Sequence, residues 1–126
     1  MIKIIYTQNA PEPIGPYSQA VEYNGMVFVS GQIAIDPTTS QLYAGEDIEV
    51  ETRQVMENLK AIITQAGYEM SMVIKCTIFL KDMSDFANVN KVYGEYFTEN
   101  PPARETVAVL GLPKGARVEI GAVAGR

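Results

Sequence analysis

The chain has 126 residues, of which 47% are hydrophobic and 20% are charged, and its formal net charge is −5. This length and apolar content predict one domain, spanning residues 1–126, that can bury a core of its own. The acidic balance argues against a nucleic-acid partner, because nucleic-acid-binding surfaces attract phosphate groups with clustered lysine and arginine.

Two residue types limit the chemistry further. Histidine is absent and cysteine occurs once, as Cys76, so an internal disulfide, a zinc site of several cysteines and nucleophiles paired with histidine are excluded. Any chemistry then depends on carboxylates, arginine, hydroxyls and backbone amides. Residues 1–15 lack a signal-peptide pattern, and no run of about 18 apolar residues occurs, so we expect a cytoplasmic protein without a membrane partner.

The first third of the chain predicts three strands. Short strands are predicted over residues 2–7 and 18–23, and the hairpin signal Asn24-Gly25 joins the second of them to a longer strand over residues 26–35. Alternation gives this third strand one apolar face, made of Val27, Val29, Ile33 and Ile35. Its other face carries Phe28, Ser30 and Gln32.

The rest of the chain predicts two helices and three strands. Apolar residues recur at helical spacing over residues 48–66, and Gly67 ends this helix. A strand over residues 73–81 is followed by a second helix, which Ser84 caps and residues 100–102 end. The last strands cover residues 105–110 and 117–124. The order β-β-β-α-β-α-β-β predicts an α+β fold, with a single mixed sheet and two helices on one face.

Alternation in the last two strands predicts which residues face the helices: Val107, Val109, Val118, Ile120 and Ala122. Thr106 and Glu119 then lie on the opposite face, together with Arg104 if its strand begins that early. This second face also carries apolar residues, namely Met26, Phe28, Phe79 and Val123. We therefore expect a homo-oligomer whose sheets cover each other.

Arg104 and Glu119 have two interpretations, which these residues alone leave open. One is a salt bridge that fixes the register between subunits. In the other, the planar guanidinium of Arg104 binds the carboxylate of a ligand with two parallel hydrogen bonds. Glu119 would then position or deprotonate a water molecule.

Five motifs occur in order: IGPYSQAV at residues 14–21, VSGQI at 29–33, DFANVN at 85–90, PPAR at 101–104 and LPKGARVEI at 112–120. With them, nearly the whole chain resembles the RidA/YjgF family, also called the translation-initiation-inhibitor or endoribonuclease L-PSP family. The resemblance implies a chorismate-mutase-like fold, assembled as a homotrimer with clefts between subunits. It also implies a 2-iminobutanoate/2-iminopropanoate deaminase that hydrolyses enamines and imines to 2-oxo acids and ammonia without metal or cofactor.

The resemblance also assigns roles to individual residues. The family's carboxylate-binding arginine falls on Arg104, and the glutamate that activates water falls on Glu119. Substrate-binding positions fall on Tyr17, Ser30, Gly31 and Asn90. Each of these four also has a structural alternative: an interface aromatic, a bond to a neighbouring strand, a bulge and a loop cap, respectively.

The chain departs from the family pattern at two positions. Many members have a cysteine two residues after the arginine, whereas this chain has Thr106, whose hydroxyl can still bond a substrate. Gly121 stands where members often carry an acidic residue. Because Thr106 replaces the family's cysteine, roles that depend on a thiol are not expected here.

Two other functions stay open. The same clefts can serve a non-catalytic module that binds small carboxylates or a protein partner, for example in regulating translation or purine metabolism. RNA cleavage is suggested by one of the family names, but the acidic balance and the absence of histidine argue against it.

Overall fold

The computed structural model describes residues 1–43, 45 and 47–126, and its main feature is a six-stranded sheet. In chain order the elements are β1 (Lys3–Ile5), β2 (Ala20–Tyr23), β3 (Met26–Gln32), β4 (Ile35–Asp36), β5 (Gln41–Leu42), α1 (Ile48–Gln65), β6 (Val73–Leu80), α2 (Phe86–Gly94), β7 (Ala103–Ala108) and β8 (Val118–Gly125). The sheet order is β1-β2-β3-β8-β6-β7, and β4 pairs with β5 separately. Strands β6 and β7 are parallel, whereas the other neighbours in the sheet are antiparallel.

This architecture confirms the predicted α+β fold with a mixed sheet and two helices. Helix α1 packs on β3 and β8, and α2 packs beside α1. Residues of both helices and of the sheet form one buried cluster. The β4–β5 hairpin between β3 and α1 is an addition that the sequence pattern did not predict.

Helix α1 begins and ends close to the predicted positions. The Asp47 carboxylate accepts a hydrogen bond from the Glu49 amide nitrogen at 2.7 Å, which caps the first turn. The apolar stripe is fully buried against the sheet through Val55, Met56, Leu59, Ile62 and Ile63. Gly67 adopts a φ of +84°, a left-handed conformation that glycine takes without strain, so it stops the helix as predicted.

The predicted continuous strand over residues 26–35 is wrong, because a bulge interrupts it. Val29 pairs with Ala122 and Gln32 pairs with Ile120, so β3 has one more residue than β8 between these two pairs. The extra residue reverses the alternation beyond it. Gln32 is only 6% exposed instead of lying on the open face with Ser30. Ile33 and Ile35 pack in a separate small cluster with Ala116 rather than beside Val27 and Val29.

The predicted limits of the second helix are also wrong. Met83–Asp85 forms a 3-10 turn, and the Asp82 carboxylate accepts a bond from the Ser84 amide nitrogen at 2.8 Å, so Ser84 is not the cap. Helix α2 ends at Gly94, well before the double proline. Glycine is a poor helix former, which accounts for the earlier end.

The register of β7 overturns the predicted facing of its residues. Arg104 pairs with Cys76 and Thr106 pairs with Ile78, so both side chains lie on the helix side of the sheet. Val107 pairs with Phe79 on the other side and is 44% exposed. The alternation of apolar residues was misleading because β7 is an edge strand. The short helix α2 leaves room for polar side chains on the face of β7 that points to the helices.

A buried carboxylate joins α1 to the beginning of β8. Glu51 is 2% exposed, and its two carboxylate oxygens accept hydrogen bonds from the Arg117 backbone nitrogen and Nε, each at 2.9 Å. Substituting Glu51→Gln should lower the free energy of unfolding by about 2–3 kcal/mol, because the charge-assisted bond is lost. Urea unfolding measures the change, with Glu99→Gln on an exposed residue as the control for charge. Equal stability of the two variants would show that the pair contributes nothing.

Candidate functional site

The residues proposed for the site form two clusters on opposite faces of the main sheet. The arginine cluster consists of Phe86, Asn90, Tyr93, Arg104 and Thr106. The glutamate cluster consists of Tyr17, Ser30, Gly31 and Glu119. The two clusters lie on opposite faces because Phe79 pairs with Glu119, whereas its neighbour Ile78 pairs with Thr106.

Arg104 is the centre of the arginine cluster. Its Nη1 donates a hydrogen bond to Asn90 Oδ1 at 2.5 Å, so Asn90, a residue of α2, orients the guanidinium rather than capping a loop. The guanidinium carbon lies 5.0 Å from the ring centroid of Tyr93 and 5.7 Å from that of Phe86. Within residues 1–43, 45 and 47–126, no carboxylate forms an ion pair with Arg104. The remaining donors can therefore bind an anion, whereas a salt bridge between two copies stays a prediction.

Two hydroxyls beside Arg104 bond no nitrogen or oxygen atom within the part of the chain that the structure describes. They are Tyr93 Oη and Thr106 Oγ1, and both atoms are buried. Burial, and then the nearby Cys76 thiol, raise the pKa of Tyr93, so its hydroxyl stays protonated. Burial likewise raises the pKa of Cys76, which is fully inaccessible. This thiol is therefore a core residue and is held in an unreactive form.

The glutamate cluster lines a cavity of about 340 Å³ on the other face. The Glu119 carboxylate makes no hydrogen bond or ion pair with any residue that the structure describes, and burial raises its pKa. A carboxylate that is partly desolvated and not neutralised by a cation is a better proton acceptor than one on the surface. Glu12 and Pro113 line the same cavity, and the sequence did not single out either of them.

Tyr17 and Ser30 contact the chain segment that precedes β2. Ser30 Oγ donates a hydrogen bond to the Ser18 carbonyl oxygen at 2.6 Å, which fits the structural alternative for this residue. Tyr17 is 47% exposed, and its Oη accepts a bond from the Ile14 amide nitrogen at 3.3 Å. Both line the cavity, so their contact with a substrate stays a prediction.

Gly31 lies in the bulge of β3 and leaves room for the carboxylate of Glu119. A β-carbon added to Gly31 would lie 2.4 Å from Glu119 Oε2 and 2.8 Å from its carboxyl carbon. The bulge and the missing side chain together therefore set the position of the Glu119 carboxylate.

The substitution Gly31→Ala should displace the Glu119 carboxylate with little effect on stability, because the clashing atoms are the end of a flexible side chain. For the imine hydrolysis that the family resemblance implies, we expect kcat/KM to fall about 10-fold or more, since small displacements of a reacting group are costly. The ratio kcat/KM and urea unfolding check the two effects. Gly111→Ala is the matched control, because no atom of the described residues lies within 4 Å of its added carbon. Full activity of Gly31→Ala would show that the carboxylate tolerates the shift.

Sequence reasoning missed the contribution of Phe86 and Tyr93 to the site. Neither aromatic residue is a candidate site residue from the sequence alone. Their spacing around Asn90, at four and three residues, places all three on one helical face, which is the signal that could have revealed the cluster.

The described part of the chain holds no group of three or more histidine, cysteine, aspartate or glutamate side chains suited to a metal ion. None of its helices combines the length and the hydropathy needed to cross a bilayer.

Comparison with known proteins shows which family model, relatives and solved structures this chain resembles. Residues 7–125 match the family model described as endoribonuclease L-PSP. A RutC family protein of Pyrococcus horikoshii is 54% identical over 124 residues, with 98% of each chain covered. A 2-iminobutanoate/2-iminopropanoate deaminase of Salmonella typhimurium is 46% identical over 129 residues, covering 100% of this chain and 99% of that protein. The crystal structure of Escherichia coli TdcF with bound serine is similar at a TM-score of 0.93, with 43% identity and 98% of both chains covered.

Proposed function

Because this chain belongs to the endoribonuclease L-PSP family, which comprises the RidA, YjgF and RutC proteins, we propose that it is a 2-iminobutanoate/2-iminopropanoate deaminase. It hydrolyses reactive imines and their enamine tautomers to 2-oxo acids and ammonia, and it needs no cofactor. The proposal depends above all on Arg104, whose guanidinium is oriented by Asn90 and has no carboxylate partner in the described chain. The similarity to the Salmonella deaminase supports the same function.

Arg104 suits the substrate because every 2-imino acid carries a carboxylate next to the reacting carbon. A guanidinium can bind that carboxylate with two parallel hydrogen bonds, which fixes both its position and its orientation. The 2-oxo acid product has the same carboxylate, so it should also bind Arg104. The serine bound to the related TdcF also carries a carboxylate beside its nitrogen-bearing carbon.

The location of the two clusters supports a site shared between copies of the chain. Within one chain the sheet separates Arg104 from Glu119, so one copy cannot bring both to a single small molecule. We propose a homotrimer in which the β7 edge of each copy meets the open sheet face of the next, a contact that closes as a ring. That face carries large apolar side chains that one chain leaves exposed, with Phe28 at 45%, Ile74 at 49% and Val107 at 44%.

In the proposed reaction, Arg104 binds the substrate carboxylate and Glu119 of another copy orients a water molecule. The water oxygen attacks the protonated imine carbon, the carbon–nitrogen double bond becomes single, and Glu119 takes the proton that the water loses. The carboxylic acid then returns this proton to the nitrogen. As the carbon–nitrogen bond breaks, the Glu119 carboxylate takes the proton of the hydroxyl group, the carbonyl forms, and the departing ammonia receives this proton and leaves as ammonium. A protonated imine is already a strong electrophile, so positioning and the exclusion of bulk water supply much of the acceleration.

A steady-state assay tests the proposal. A threonine dehydratase generates 2-iminobutanoate from threonine, and the release of ammonia is followed with and without this protein. We expect faster release than the spontaneous rate, and a subunit number of three in sedimentation velocity. A folded protein that binds 2-oxobutanoate without accelerating ammonia release would instead support the non-catalytic carboxylate-binding module. RNA cleavage that survives Arg104→Ala would come from a contaminant or from a separate site.

A further inference from the structure

The arginine cluster contains two aromatic rings for which the proposed reaction has no use. The guanidinium carbon of Arg104 lies over the ring of Tyr93 at 5.0 Å and over that of Phe86 at 5.7 Å. Both rings come from the same face of α2 as Asn90, the hydrogen-bond partner of Arg104. Helix α2 therefore supplies the hydrogen-bond partner of this guanidinium and both aromatic rings beside it.

The ring of Tyr93 is held in place more firmly than an ordinary surface aromatic. The residue is only 5% exposed and belongs to the buried core. Its ring packs against that of Phe97, with centroids 4.9 Å apart and planes tilted by 50°. A long, flexible arginine side chain gains a rigid surface in this way.

The hydroxyl of Tyr93 does not explain why a tyrosine is buried here. Among the described residues, its oxygen bonds no nitrogen or oxygen atom, and only the weakly hydrogen-bonding Cys76 thiol lies near it, which is unfavourable for a buried polar group. The feature that the geometry uses is thus the face of the ring. A guanidinium can have its flat face covered by an aromatic ring while its edge still donates hydrogen bonds.

We propose that Tyr93, with Phe86, is a positioning residue that holds the guanidinium plane of Arg104, so that the donors left over by Asn90 point at a ligand carboxylate. This proposal deepens the function proposed above and rests on it for the identity of the substrate. The rings act on binding through Arg104 and take no part in proton transfer. Their loss should weaken carboxylate binding, and thus raise KM, more than it lowers kcat.

The test uses the intact protein with 2-oxobutanoate as the probe, whose Kd is measured by isothermal titration calorimetry alongside KM and kcat for 2-iminobutanoate. For Tyr93→Leu we expect Kd and KM to rise about 10-fold while kcat changes less than threefold. Tyr93→Phe keeps the ring and should restore both constants to within about twofold of the wild-type values. Val89→Ala, at a buried position of α2, is the control for lost packing and should leave Kd unchanged.

The outcomes separate this proposal from the function on which it rests. Unchanged Kd in a folded Tyr93→Leu protein, or equal defects in the leucine and phenylalanine variants, would overturn the role of the ring. If Tyr93→Leu does not fold, Phe86→Leu replaces it, because Phe86 is only partly buried. The wild-type protein could also bind 2-oxobutanoate, and Tyr93→Leu could weaken this binding as expected, while the wild-type protein does not hydrolyse the imine. That result would refute the deaminase and leave the positioning role standing.

Discussion

Replacing Arg104 with lysine should lower kcat/KM for 2-iminopropanoate hydrolysis by about 100-fold, which corresponds to about 2.7 kcal/mol of transition-state binding. Lysine keeps the positive charge but presents it as a point, without the planar pair of donors that matches a carboxylate. It also loses the hydrogen bond that Arg104 Nη1 donates to Asn90 Oδ1. The large effect thus comes from geometry rather than from charge.

The measurement is ammonia release from freshly generated 2-iminopropanoate under conditions where the spontaneous rate has been subtracted. Arg53→Lys is the matched control, because Arg53 lies in α1 and pairs with Glu95 at 3.0 Å on the exposed surface. That variant should keep wild-type activity. If Arg104→Lys releases ammonia at the wild-type rate, Arg104 does not grip the substrate carboxylate.

The variant Glu119→Gln should lose about 100-fold to 10,000-fold in kcat, the range typical for removing a general base. Glutamine has nearly the same shape but cannot accept the proton that the attacking water loses. Its amide should still fit above Gly31, where the glutamate carboxylate now lies, so binding of 2-oxobutanoate should change little. The experiment measures kcat by ammonia release and Kd by calorimetry, with Glu69→Gln on the exposed surface as the control.

The pH dependence of the wild-type protein supplies a second check on Glu119. Burial raises the pKa of this carboxyl group, and only the deprotonated form can act as the base. Activity should therefore be complete at pH values above this raised pKa, and it should fall as the pH drops through it. The loss begins at a higher pH than it would for a fully hydrated glutamate. An acidic limb that persists unchanged in Glu119→Gln would assign the titration to another group.

Local patterns predicted the elements well where one face of an element meets the core. Helix α1 was predicted over residues 48–66 and is observed at Ile48–Gln65, because its apolar stripe repeats at the helical period and Gly67 stops it. The mixed sheet with two helices was predicted for the same reason. The end of α2 was predicted wrongly. The double proline was expected to stop this helix, but the helix ends earlier, at Gly94.

Alternation failed where the register of a strand depends on its partner. The extra residue in β3 between Val29 and Gln32 is visible only in the pairing with β8, and it decides that Gly31 lies under the Glu119 carboxylate. In the strand that contains β7, the alternation of Val107 and Val109 predicted the wrong face of the strand to point to the helices. An edge strand has a neighbour on one side only, so burial constrains its pattern weakly.

The sequence by itself determined the order of the two helices and of the six strands of the main sheet, the absence of histidine chemistry and the identity of Arg104 and Glu119 as candidates, because each of these depends on residue type and local spacing. Only the tertiary structure decided that the two residues lie on opposite faces of the sheet and that α2 orients the arginine. Register and helix docking come from contacts between segments far apart in the chain. No local pattern encodes such contacts, so the separation of the two clusters emerges only when the strands are paired.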